Sequence, residues 1–148
     1  MTDVVKEEQR IVVGVDGSEP SKEALRWAVD QGRLTGAAVE AIAAWEPPTD
    51  WYGMVPKSDR PSTVEETAER NLAETVDQAV GSHPGVDVRT TVAKGNPAAV
   101  LLKAARDARL LVVGNRGRGE FTEALLGSVS LRCTQHATRP VVVIREDS

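Results

Sequence analysis

Short continuous apolar runs alternate along this chain with segments of helical length. Ile11-Val12-Val13-Gly14-Val15 is uninterrupted and closes on Asp16-Gly17-Ser18, turn and cap chemistry that bounds a first strand. Ala24, Leu25, Ala28, Val29 and Gly32 then share one face at helical spacing. Ser18 and Ser21 both suit the N-cap of that helix, and Pro20 suits its first turn. Val39 to Trp45 reads as a second strand. Val64, Ala68, Leu72, Val76 and Val80 recur every fourth residue, predicting an amphipathic helix that ends near Gly81. Val86, Val88, Thr90 and Val92 alternate as a third strand. Asn96-Pro97, a cap followed by proline, opens a helix through Ala108. Leu110 to Val113 is a wholly apolar fourth strand, Gly127-Ser128 opens a last helix to Ala137, and Val141 to Ile144 follows Pro140 as a fifth strand.

Strand and helix therefore alternate throughout, which implies right-handed crossovers and a parallel sheet with helices on both faces. Continuously apolar strands agree, because parallel strands are buried on both sides. The expectation is one α/β domain over residues 1–148, with a flexible N-terminus at 1–8. Residues 45–62 carry Pro47, Pro48, Pro56 and Pro61 and read as a long Pro-rich loop.

Composition narrows the classes. The chain is 41% hydrophobic and 27% charged, as an ordinary globule is, and its formal charge is −4. No net positive field is offered to a nucleic-acid backbone, so nucleic acid is not expected as a partner. One cysteine, Cys133, excludes an internal disulfide framework, and His83 and His136 match no metal-ligand spacing. Met1 to Arg10 lacks the apolar core of a signal peptide, and no apolar run reaches membrane-spanning length. A cytoplasmic protein with no membrane partner is expected.

In an open parallel sheet, ligands bind at the carboxyl ends of the strands, where strand order reverses. The loop after strand four reads Gly114-Asn115-Arg116-Gly117-Arg118-Gly119, with nine residues between Gly117 and Gly127-Ser128. Glycines permit positive φ and close approach of backbone N–H groups to an anion. Ser128 can cap the last helix, whose N-terminus favours phosphate, and Arg116 and Arg118 would add charge-assisted contacts. The alternative is a tight turn and nothing more; the recurrence of glycines before a capped helix favours phosphate. A P-loop is excluded, since Glu120-Phe121 stands where Lys and Ser/Thr are needed. Gly117-x-Gly119-x-x-Thr122 lacks the third glycine of a dinucleotide fingerprint and comes late in the chain. Thr90 to Lys94 offers no phospho-acceptor Asp.

Gly114-x2-Gly117-x9-Gly127-Ser128, with Val12 to Ser18 at the start, resembles the universal stress protein family. Gly95-Asn96-Pro97 and Pro140 to Ile144 match as well, so the resemblance covers nearly the whole chain. It implies a doubly wound, five-stranded sheet of order 3-2-1-4-5, and the spaced glycines mark the family's ATP-binding branch. By the same resemblance Gly14, Val15 and Asp16 line the adenosine side, and Ala44 meets adenine through its backbone. Gly114, Gly117, Gly127, Ser128, Val129 and Ser130 hold the phosphates of ATP, with Mg2+ accompanying them. Asp16 also bears an independent argument: a carboxylate repels phosphate but accepts from ribose hydroxyls. Capping its own turn, with Gly17 and Ser18, is the plainer alternative.

The function these features predict is a nucleotide-responsive stress or signalling module with little or no turnover. A slow ATPase or phosphotransferase would need a positioned base and a metal clamp. Glu120 and Glu123 are the only candidate bases near the glycine loop, so no catalytic residue and no metal site is assigned. A cyclic-AMP binder on the same scaffold is the third reading. Val141 to Ile144 carries no Pro or Lys to protect an edge, and the resemblance implies a homodimer through it. Cys133 reads as a buried structural thiol, His136 as a complement to its helix dipole, and Trp27 as cover for the core edge. Trp45, Trp51 and Tyr52 read as part of a surface loop.

Overall fold

The computed structural model describes residues 9–46, 61–116 and 126–145. Five strands, β1 (Ile11–Gly14), β2 (Val39–Trp45), β3 (Val88–Lys94), β4 (Leu110–Gly114) and β5 (Val141–Ile144), form one sheet in the order β3-β2-β1-β4-β5. Every neighbouring pair is parallel, with Val13 opposite both Ala41 and Val112, and Gly114 opposite Ile144. Four helices connect them: α1 (Glu19–Thr35), α2 (Pro61–Val80), α3 (Pro97–Ala105) and α4 (Ser128–His136).

The two faces of the sheet carry separate cores, as the period-2 alternation of a strand requires. Ile11, Val13, Val39 and Ala41 pack with Ala24, Leu25, Ala28 and Val29 of α1 and Leu72 of α2. Val12, Ile42, Leu111 and Val113 pack with Ala98, Leu101 and Ala105 of α3 and Cys133 of α4. Ile11, Leu25 and Leu111 are fully buried, each worth about 2 kcal/mol of hydrophobic burial.

Local chemistry sets the helix ends. Ser18, not Ser21, is the N-cap of α1: its Oγ accepts from the Ser21 amide at 3.3 Å, with Pro20 in the first turn. Gly36 ends that helix at φ 80°, the left-handed region that glycine enters without steric cost. Asn96 caps α3 by accepting from the Ala99 amide at 3.2 Å. That helix stops at Ala105 and not Ala108, because Arg106 and Ala108 donate to carbonyls three residues back and tighten the chain. The second helix opens at Pro61 and not near Val64, proline being suited to a first turn, which shortens the connection read from sequence as 45–62. β3 starts at Val88, two residues beyond the expected Val86, and runs on to Lys94 opposite Trp45.

The amino end of the sheet is held by one side chain. Arg10 donates to Glu40, to Asp107 at 2.6 Å and to the Ala104 carbonyl at 2.7 Å. Glu40 also accepts from the Thr91 hydroxyl at 2.7 Å, so β1, β2, β3 and the end of α3 share a single polar cluster.

Candidate functional site

At the opposite, carboxyl end, β1 leads toward β2 on one side while β4 lies on its other side, and the connections diverge. A crevice opens there, as it does in doubly wound sheets generally. Its volume, counted to the open mouth, is about 580 Å³. Gly14, Val15 and Asp16 line it from β1, Val113, Gly114 and Arg116 from β4, and Ile42 and Ala44 from β2. Pro97 and Leu101 of α3, Val129 and Ser130 of α4 and Ser21 of α1 complete the wall. The lining is mostly apolar, with one carboxylate and one guanidinium among the charged groups.

Eight of the residues read from sequence thus share one crevice: Gly14, Val15, Asp16, Ala44, Gly114, Arg116, Val129 and Ser130. Gly127 and Ser128 stand at the start of α4 beside it. Gly117, Arg118, Glu120, Glu123, Trp51 and Tyr52 lie outside the described residues. Sequence reasoning missed Ile42, Pro97, Leu101 and Val113, because an apolar residue in a strand or helix carries no mark that its tip borders a cleft.

At Gly14 and Gly114 close approach of neighbouring atoms, not unusual torsion, requires glycine. Gly127 is extended at φ −76°, ψ 176°, and Gly114 has no positive φ, so neither uses the torsional freedom that glycine permits. A β-carbon on Gly114 would sit 2.7 Å from the carbonyl carbon of Pro20, and one on Gly14 would sit 2.6 Å from a methyl of Leu101. The cap of α4 is likewise corrected: Gly127 occupies the N-cap, without a side-chain cap bond, and Ser128 is the first helical residue.

Asp16 caps its own turn, its Oδ1 accepting from the Ser18 amide at 2.9 Å and the Ser18 hydroxyl at 2.5 Å. It does this while lining the crevice, so the two sequence readings of Asp16 are compatible. The Asn115 carbonyl accepts from the Gly127 amide at 2.6 Å, and the Asn115 amide donates to the Ile144 carbonyl at 2.8 Å. Both ends of the glycine segment are thereby tied to each other and to β5.

The remaining candidates are structural. Cys133 is fully buried, and that burial pushes its thiol up to about 11, away from nucleophilic chemistry. Lys94 lies over the Trp45 ring, 5.9 Å from its centre, at the ends of β3 and β2. Trp27 is half-buried against the core, as expected. Among the described residues no helix is long and apolar enough to cross a membrane.

A sequence model of the universal stress protein family matches residues 8–145. The chain belongs to the universal stress protein family. A universal stress protein of Mycolicibacterium smegmatis is 38% identical over 135 residues, covering 91% of this chain and 45% of the relative. This chain spans about half the length of the curated universal stress proteins it matches. Two solved members share the fold. One is a universal stress protein in complex with cAMP, at 24% identity and TM-score 0.60, covering 93% of this chain and 97% of that one. The other is a universal stress protein of Archaeoglobus fulgidus in complex with dAMP, at 23% identity and TM-score 0.62, covering 91% and 96%.

Proposed function

We propose that this universal stress protein is a regulatory, stress-response module that binds an adenine nucleotide in the crevice between β1 and β4, with ATP as the ligand and little or no turnover. The observation that carries the reading is the composition of that crevice at the switch point of the sheet. Apolar walls from Ile42, Leu101, Val113 and Val129 suit a flat base, while Asp16 and Arg116 provide opposite charges in the same cleft. Two relatives of the same fold that hold cAMP and dAMP support adenine as the base.

The residues fit such a ligand by their chemistry. The Ala44 backbone would meet the adenine edge beside Gly14 and Val15, and Asp16 would accept from ribose hydroxyls, with which a carboxylate is compatible. Arg116 and the first turn of α4, Gly127 to Val129, would meet the phosphates, because helix N-termini favour anions. Gly114 would serve that end too, and Mg2+ would arrive on the phosphates. ATP when bound would supply a charged polyphosphate that ties the β4 and α4 ends together. In this reading the chain's own part is to bind and orient the nucleotide.

The reading extends to a cytoplasmic homodimer. β5 is an outer strand of the sheet, and among the described residues its half-buried Val141 to Ile144 pair with no strand on the outer side. Antiparallel pairing with a second copy would satisfy both edges. Relatives with room for a second unit of this size support a two-unit assembly.

Calorimetric titration of Mg-ATP, and separately of cyclic AMP, into the purified protein tests the site. Saturable ATP binding that weakens in an Arg116→Ala variant is expected. Preference for cyclic AMP would favour the second reading, and binding of neither would overturn both.

A further inference from the structure

One hydroxyl in the first turn of α4 is already committed within the chain. Ser130 is 2% exposed. Its Oγ lies 3.0 Å from the Asn115 carbonyl oxygen and 3.1 Å from the Gly127 carbonyl oxygen. Both neighbours only accept, and a serine hydroxyl has a single proton to donate. The proton is therefore shared between these carbonyls, which lie at the two ends of the glycine segment. The Gly127 amide donates to the same Asn115 carbonyl, at 2.6 Å. Ser130 and Gly127 thus close on Asn115 together, and the Asn115 amide fixes the closure to Ile144 of β5.

We propose that Ser130 is a positioning residue: its hydroxyl clasps Asn115 to Gly127 and sets the spacing at which the β4 and α4 ends meet a phosphate, without touching the phosphate itself. This rests on the nucleotide reading above and removes the Ser130 side chain from the phosphate contacts implied by resemblance. To donate to a phosphate, the hydroxyl would have to give up its bonds to both carbonyls, and at 2% exposure hydrogen bonds left unmade are costly. Val129 and Ser130 adjoin in sequence, but only the hydroxyl of Ser130 reaches back across the sheet end to Asn115.

The test is amide hydrogen exchange by NMR on the whole chain without nucleotide, followed by titration with Mg-ATP and with adenosine. In Ser130→Ala the Gly127 amide should exchange about tenfold faster, as loss of one buried hydrogen bond predicts, while the Ile11 to Val13 amides stay unchanged as a check on folding. Affinity for ATP should fall and affinity for adenosine should not. Ser130→Thr, which keeps the hydroxyl, should restore both properties. Unchanged Gly127 exchange with a lower ATP affinity would make Ser130 a direct phosphate donor and overturn the proposal; no change in either would overturn it as well. Wild-type protein that binds neither ATP nor adenosine would overturn the nucleotide reading, and the exchange result would still decide the clasp.

Discussion

Gly114 packs its α-carbon against Pro20, so closely that a β-carbon there would lie 2.7 Å from both the Pro20 carbonyl carbon and its Cβ, and 2.9 Å from its oxygen. The end of β4 and the first turn of α1 are thus in backbone contact beside the crevice. Backbone cannot swing aside as a side-chain tip can. Gly114→Ala should therefore destabilise the fold by about 2 kcal/mol, the usual scale of overpacking. Urea denaturation would read this as a lower midpoint with an unchanged slope. Gly14→Ala meets only the flexible end of Leu101 and should cost less.

Arg10→Ala should destabilise the protein by about 2 kcal/mol, because it strands the half-buried Glu40 and removes a donor from the Ala104 carbonyl. The double variant Arg10→Ala, Glu40→Gln should recover part of that loss, since the stranded charge is gone. A double-mutant cycle in urea measures the coupling, and additive losses would dismiss it.

Cys133 makes stability fall at alkaline pH. Its thiol has an ordinary value of 9.0 and is pushed up to about 11 in the fold by burial, so above pH 9 the unfolded chain gives up a proton that the folded chain keeps. The contribution is whole below pH 9 and is lost progressively as pH rises toward 11. At its largest the loss is about 3 kcal/mol. Comparison with Cys133→Ala across that range isolates the effect, because other alkaline groups titrate in both proteins. A thiol reagent at pH 8 should label folded protein only at the rate of unfolding.

Asp16→Asn keeps a side-chain oxygen for the Ser18 amide and hydroxyl while removing the charge. Thermal stability should change little. Affinity for ATP should fall about tenfold, the scale of one charge-assisted hydrogen bond. A matching loss for adenosine would assign that bond to the ribose, and an unchanged affinity would leave Asp16 with its turn alone.

Much of the site was legible in the sequence because its markers are local. Asp16-Gly17-Ser18 and Asn96-Pro97 announce a strand end and a helix start within three residues, and both caps form as read. Ser128 was misread as a cap because a hydroxyl near a helix start is ambiguous by one position. The glycine at 127 takes the place, and its torsions are ones any residue adopts. Leu101 and Ile42 gave no signal, since their part in the crevice depends on α3 crossing the end of β1.

The alternation of apolar runs with helical periods, together with the caps, was enough to establish an α/β chain with five strands in this order along the sequence. Hydrophobic period and cap chemistry act over a few residues, so they can be read without the fold. Only the tertiary structure decided that Arg10 would join Glu40, Thr91 and Asp107, and that Gly114 would owe its lack of a side chain to Pro20. It also decided that the Ser130 hydroxyl would be used on Asn115. Each of those partnerships spans a long stretch of chain, and it comes into being when parallel crossovers bring strand ends and helix starts together.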